Sequence, residues 1–318
     1  MYPPVIYRGS RPAEGLDEEA EPILRWWDPT SWYRAGRRIR GSDLLVTPYF
    51  HPFHALAFGT VVRVANPTPA VAIVHNVKPH ERFPFQQALA TWALKPTVHG
   101  VVHSRYVADV LSGWLKALPI TVVPHPPNLE LTPVGPPPRP PLRLLFLGYV
   151  RPYKGLGMCI KAIRKAVDDG LDVVLTVAGE FWEEQDIYTE LVQDEALEDR
   201  VRLIPGYVSN SEVARQLSIH HAVVAPYLSA TQSGVIPLGF AAGRPAVVTN
   251  VGGLGEQVED GLNGTVASAL TARGLADAII KMAGSYTQLQ AAAERSVPTW
   301  EQVAAAVTAV SHHPSWQT

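Results

Sequence analysis

The sequence predicts an α/β protein of two domains, each a parallel sheet flanked by helices. Three observations carry this reading. At 318 residues the chain is longer than one average core accommodates. Short, near-continuous apolar runs alternate with helix-period segments, most clearly in the second half, as parallel strands buried on both faces require. Between the halves lies TPVGPPPRPP (Thr132–Pro141), with six prolines in ten residues, which reads as a semi-rigid extended linker because proline supplies neither a ladder donor nor helical continuity.

In chain order, residues 1–32 are irregular and rich in Pro, Gly and aromatics. WYRAGRRIRG (Trp32–Gly41) follows as a short helical stretch, and DLLVTPY, AVAIVHN, VHGVVHS and ITVVPHP read as strands with helical segments between some of them. A doubly wound domain normally opens with a strand, a tight Gly-rich turn and a helix. None of these is present, so the first domain (1–131) is expected to be reduced or truncated at its N-terminus.

After the linker (132–141) the alternation is regular. LRLLFLG is a strand and Lys154–Asp169 an amphipathic helix stopped by Gly170; DVVLTVAGE is a strand and Trp182–Glu195 a helix. RVRLIPGYV leads to a helix over Ser209–Ser218, with Glu212 placed for a capping box. HAVVAPY is a strand, Ser233–Ala242 a helix stopped by Gly243, and RPAVVTN a strand. A short helix at Gly255–Glu259, a hairpin-like GLNGTVA and a helix at Thr271–Ala283 complete a Rossmann-like domain (142–297). A final helix from Thr299 belongs to the C-terminal segment (298–318).

The net charge of −2 argues against wholesale binding to nucleic acid. The single cysteine, Cys159, excludes an internal disulfide and reads as a small core residue of a reducing cytoplasm. No apolar leader is visible, and the most apolar long window, Ala55–Val74, is broken by Arg63, Asn66, Pro67 and Pro69. A cytoplasmic protein is expected.

Ligands of an open parallel sheet sit outside the carboxyl ends of its strands. There the second half carries GYVRPYKG, AGEFW, PGYVSNSE, PYLSATQSG and NVGGLGE. Arg151 and Lys154 offer a guanidinium fork and a point charge, while Thr231, Gln232, Ser233 and Gly234, followed by Val235, stand at a helix N-terminus that favours an anion. Together they suit a diphosphate, with AGEFW and PGYV bordering a nucleoside base. The bland alternatives are solvated cations at a helix start and a plain N-cap.

These motifs are specific in combination. GYVRPYKGL, RPAVVTNVGGLGEQVEDGLNG, and VAIVHNVKPHER followed by VVHSRYVADVL together resemble a family 4 (group 1) glycosyltransferase of the GT-B fold over roughly residues 40 to 300. The resemblance implies two Rossmann-like domains and transfer of a sugar from a nucleotide diphosphate sugar to a glycan or lipid-linked acceptor, with retention of configuration and no bound metal. It implies His75, Lys154 and Arg151 as catalytic residues, and Gly148, Gly179, Glu180, Gly206, Tyr207, Thr231, Gln232, Ser233, Gly234, Val235 and Glu256 around the donor. His80 and Glu81 lie in the same acceptor-side motif, while His103 and His125 read as structural.

The family's paired glutamates, eight positions apart, have no counterpart through Ala230–Leu238 or Thr231–Gly239, which leaves the ribose contact unassigned. Arg34, Arg37, Arg38 and Arg40 form either a solvated face or a patch that rests on the inner face of an anionic membrane. The rival function is a catalytically degenerate GT-B scaffold that binds nucleotide or a partner protein in a glycan-assembly complex.

Overall fold

A computed structural model describes residues 23–77 and 84–311. The leading 1–22 stretch, the His80–Glu81 pair and the tail after Ser311 lie outside the described residues. The chain divides into two compact units, one of residues 1–102, 109–121 and 305–318, the other of 103–108 and 122–304.

The first unit begins with α1 (Pro29–Ile39), capped by the Asp28 carboxylate, which accepts from Thr30 N–H at 3.0 Å. It continues through β1 (Leu45–Tyr49), α2 (Ala55–Ala65), β2 (Ala70–Val74), α3 (Gln86–Leu94), β3 (His99–Val102), the later turns of α4 (Arg105–Trp114), whose first turn belongs to the second unit, and β4 (Ile120–Val122). The strands lie in the order β1-β2-β3-β4, with β1, β2 and β3 paired in parallel. Ala35, Val61, Val62, Ala65 and Ala70 pack α1 and α2 onto the sheet. Arg63 lies 3.9 Å over the Trp92 ring and donates to Trp92 O, tying α2 to α3.

The second unit holds a six-stranded sheet in the order β10-β9-β8-β5-β6-β7. Its strands are β5 (Leu142–Leu147), β6 (Val173–Gly179), β7 (Val201–Pro205), β8 (Ala222–Ala225), β9 (Ala246–Thr249) and β10 (Gly264–Ala267), all parallel. The helices are α5 (Leu156–Asp168), α6 (Gln185–Asp194), α7 (Asn210–Ile219), α8 (Val235–Ala241) and α9 (Ala272–Arg295), and α10 (Trp300–Ser311) ends the described chain. Alternation along β5 sends Leu144 and Phe146 to a core shared with α5, α6 and α9, and Leu145 and Leu147 to one shared with α7 and α8. Cys159 is fully buried in the first of these, where burial pushes its thiol up to about 12.

Four elements depart from the sequence reading. The helix expected from Lys154 starts at Leu156, because Pro152–Lys154 forms a 3-10 turn that Gly155 ends at φ +69. The helix expected at Gly255–Glu259 is a series of turns, in which Asn263 Oδ1 accepts from Glu259 N–H. GLNGTVA is no hairpin: a Gly261–Gly264 turn delivers β10 parallel to β9. The helix expected to end at Ala283 continues to Arg295, since Tyr286, Leu289, Ala292 and Ala293 keep an apolar stripe buried. That burial outweighs the roughly 1 kcal/mol that Gly284 costs.

The proline-rich run lies within the second unit and is fastened to it. His221 Nε2 meets Pro137 O at 3.0 Å while its Nδ1 accepts from Arg143 N–H at 2.9 Å, so the neutral ring carries its proton on Nε2. The fully buried Arg244 reaches Gly135 O, and Arg139 donates to Ala283 O. Burial lowers the His221 pKa from its ordinary 6.5 to about 4, and burial together with the neighbouring His125 does the same for His103. Between pH 6.5 and 4 the unfolded chain therefore binds the extra protons. Stability is full above pH 6.5 and declines as pH falls towards 4. A melting temperature at least about 5 °C lower at pH 5 than at pH 7 is expected by calorimetry, and an unchanged one would refute the assignment.

Candidate functional site

The carboxyl end of β5 meets that of β6 at van der Waals limits. Gly148 N–H donates to Ala178 O, Val150 N–H to Glu180 O and Trp182 N–H to Val150 O, so the two strand ends continue as paired loops. A Cβ on Gly179 would stand 1.8 Å from Gly148 O, a distance no side chain tolerates. Gly206 N–H in turn donates to Gly179 O, aligning the end of β7.

From this platform the chain enters the 3-10 turn. Leu228 N–H donates to Tyr153 O at 2.7 Å, and a Cβ on Gly155 would lie 2.1 Å from Pro226 O, so the turn is seated on the end of β8. Lys154 is thereby folded inward. The residue is only 9% exposed, and Nζ lies 5.3 Å from the centroid of Tyr227. Among the described residues no carboxylate pairs with it. Burial, with a smaller contribution from the Arg151 charge, lowers its pKa. Arg151 is half-buried, its guanidinium stacked 3.8 Å over the Trp182 ring.

Tyr227 joins this cation to the next segment. Its hydroxyl, pushed up to about 12 by burial, stays protonated and bonds Ser233 Oγ at 3.1 Å. Thr249 Oγ1 donates to Tyr227 O, holding the backbone beneath. Thr231 is buried and its carbonyl accepts from Ser104 Oγ. Gln232 is half-buried, and Gly234 is the exposed N-cap of α8, with an N–H that has no acceptor among the described residues. Val235 N–H is taken by Ser233 Oγ, and Ser233 N–H by the side chain of Gln257.

The structure thus brings Gly148, Gly179, Glu180, Arg151, Lys154 and the 231–235 turn to one end of the second sheet. Tyr207 and Gly206 follow β7 and are exposed. Glu256 is engaged otherwise: its two oxygens accept from the N–H groups of Arg105 and Tyr106 at 2.5 and 2.8 Å, a carboxylate capping the start of α4. His75 belongs to the first unit, where its N–H donates to Tyr49 O just beyond β2. His103 is buried, with Nδ1 on Val123 O. Sequence reasoning missed Trp182 as the platform for Arg151, Tyr227 as the surface beneath Lys154, and Gln257. An aromatic two or three residues beyond each strand end was the available signal for the first two.

The sequence pattern of the family described as glycosyl transferases group 1 matches residues 141–285. A GDP-mannose:glycolipid 4-beta-D-mannosyltransferase of Xanthomonas campestris is 28% identical over 189 residues, 57% of this chain and 50% of that protein. A glycogen synthase of Mycobacterium tuberculosis is 28% identical over 179 residues, 54% of this chain and 42% of that protein. The chain thus spans about half the length of these relatives, or less. Among solved structures, the sucrose-phosphate synthase of Thermosynechococcus elongatus superposes with a TM-score of 0.71 at 19% identity, covering 92% of this chain and 81% of its own. Anabaena HepE, solved with UDP and glucose, gives 0.66 at 17% identity over 87% of this chain and 77% of its own. These likenesses establish the two-domain GT-B fold. The match over residues 141–285 makes that segment, a little under half of the chain, similar to the group 1 glycosyl transferases.

Proposed function

We propose that the chain transfers a sugar from a nucleotide diphosphate sugar to a glycan or lipid-linked acceptor, with retention of configuration. One observation carries the reading: Lys154 is a buried ammonium without a counter-charge among the described residues, beside a turn of polar groups. An unpaired buried cation costs several kcal/mol, and a fold retains one where a bound anion supplies the missing charge. A diphosphate fits, bridging Lys154 and Arg151 to the Gly234 N–H. As the bond from sugar to diphosphate breaks, charge grows on the leaving phosphate, and two fixed cations stabilise it without a metal. Gly179 lets the ends of β5 and β6 approach, Gly148 leaves the Lys154 ammonium uncovered where a Cβ would stand 3.4 Å from Nζ, and Glu180 and Tyr207 border the nucleoside. His75, just beyond β2, is the acceptor-side residue that this reading assigns to catalysis.

A second surface supports a lipid-linked acceptor. On α1 and just before it, exposed Trp27 (59%) and Tyr33 (54%) stand among Arg34, Arg37, Arg38 and Arg40, the composition of a peripheral membrane contact.

The test is calorimetry of the whole chain with UDP, GDP and ADP, followed by donor hydrolysis with the corresponding sugar nucleotides. One nucleoside diphosphate is expected to bind with a Kd on the order of 10–100 μM and its sugar derivatives to turn over. Binding without turnover would favour the scaffold reading; no binding to any of the three would end both.

A further inference from the structure

Gln257 makes a contact that no motif announces. Its side-chain amide is paired with the main chain of Ser233 in both directions: Oε1 accepts from Ser233 N–H at 2.7 Å and Nε2 donates to Ser233 O at 3.0 Å. This is the two-bond geometry by which a neighbouring strand would hold a residue, supplied here by one side chain from 24 positions downstream. The partner is well chosen. Ser233 lies between Gln232 and the N-cap of α8, and its own hydroxyl joins Tyr227 and Val235 N–H. Holding Ser233 therefore fixes the whole path from Gln257 through the Ser233 hydroxyl and the Tyr227 ring to the ammonium of Lys154.

We infer that Gln257 is a positioning residue for the donor diphosphate: it locks the 231–234 turn so that Gly234 N–H, rather than Ser233 N–H, faces the phosphate opposite Lys154. The inference rests on the proposed nucleotide site and adds a division of labour within it. Ser233 N–H is already occupied, so the turn offers an anion the Gly234 amide and the side chains around it. An amide is suited to this task where a carboxylate is not. Glutamate at 257 would accept from Ser233 N–H but would set an anion against Ser233 O and add negative charge behind the phosphate site.

Gln257→Leu removes both bonds at nearly constant volume, and Gln257→Glu removes one and adds a charge. Calorimetry on the whole chain would use UDP, GDP, ADP and inorganic pyrophosphate, with the melting temperature of each unliganded variant and steady-state donor kinetics beside it. Gln257→Leu is expected to weaken the nucleoside diphosphate and pyrophosphate about tenfold and raise the donor KM by a similar factor, with kcat within about threefold. Gln257→Glu is expected to be weaker still, although it retains one bond, and both unliganded variants to melt within a few degrees of the native chain. A purely structural role would lower the melting temperature and leave the Glu and Leu variants in the opposite order. That order, or unchanged diphosphate affinity in Gln257→Leu, overturns the assignment while the nucleotide site stands. Absence of any binding by the native chain overturns the site itself, and this inference with it.

Discussion

Replacing Lys154 by methionine is expected to lower donor turnover, measured as kcat/KM, by about a thousandfold and to weaken nucleoside diphosphate binding by one to two orders of magnitude. The same substitution should raise the melting temperature of the unliganded protein by about 2–4 °C, about 1 kcal/mol for a domain of this size. The opposed signs follow from one fact. The ammonium is almost wholly buried, close to the Tyr227 ring and, among the described residues, without a carboxylate partner. Empty, the site holds an uncompensated charge, which an isosteric apolar side chain relieves; occupied, it has lost the cation that meets the diphosphate. A catalytic effect alone would leave the melting temperature in place, and a structural salt bridge would make methionine destabilising. Falling stability together with unchanged diphosphate affinity would refute the assignment.

The second large effect is expected at Gly179. Alanine there places a methyl group 1.8 Å from the carbonyl oxygen of Gly148 and 2.6 Å from its carbon, and both atoms belong to backbone that cannot rotate away. Relief requires the ends of β5 and β6 to separate, breaking the bonds of Gly148 N–H to Ala178 O and of Val150 N–H to Glu180 O. A loss of at least about 3 kcal/mol is expected in denaturant titration, with donor binding abolished in whatever remains folded. A stability change below about 1 kcal/mol would show that the loops yield more easily than their paired geometry implies.

Much of the second domain was legible in the sequence, for identifiable reasons. Its strands are buried on both faces, so LRLLFL and AVVA announce themselves as apolar runs, and Ser209 marks the start of α7 by accepting from Glu212 N–H. The reciprocal half of that capping box is absent, because Arg215 and Gln216 claim the Glu212 carboxylate. Lys154 was legible as a cation at a strand end, yet its burial was not, since that depends on Gly155 seating the turn against Pro226. Glu256 was visible as a carboxylate, but the amides that hold it lie some 150 residues earlier. Gln257 carried no local signal at all: its significance lies wholly in reaching Ser233. What sequence leaves hidden here is contact between distant segments, which periodicity and capping rules do not encode.

The sole thiol offers a practical consequence. Cys159 is sealed beneath α5 and held protonated far above neutral pH, so a maleimide or iodoacetamide reaches it only when that helix lifts from the sheet. Alkylation of the unmodified protein thus serves as a built-in clock for opening of the second domain. Occupancy of the proposed diphosphate site, which rests on the same stretch of chain, should slow that clock.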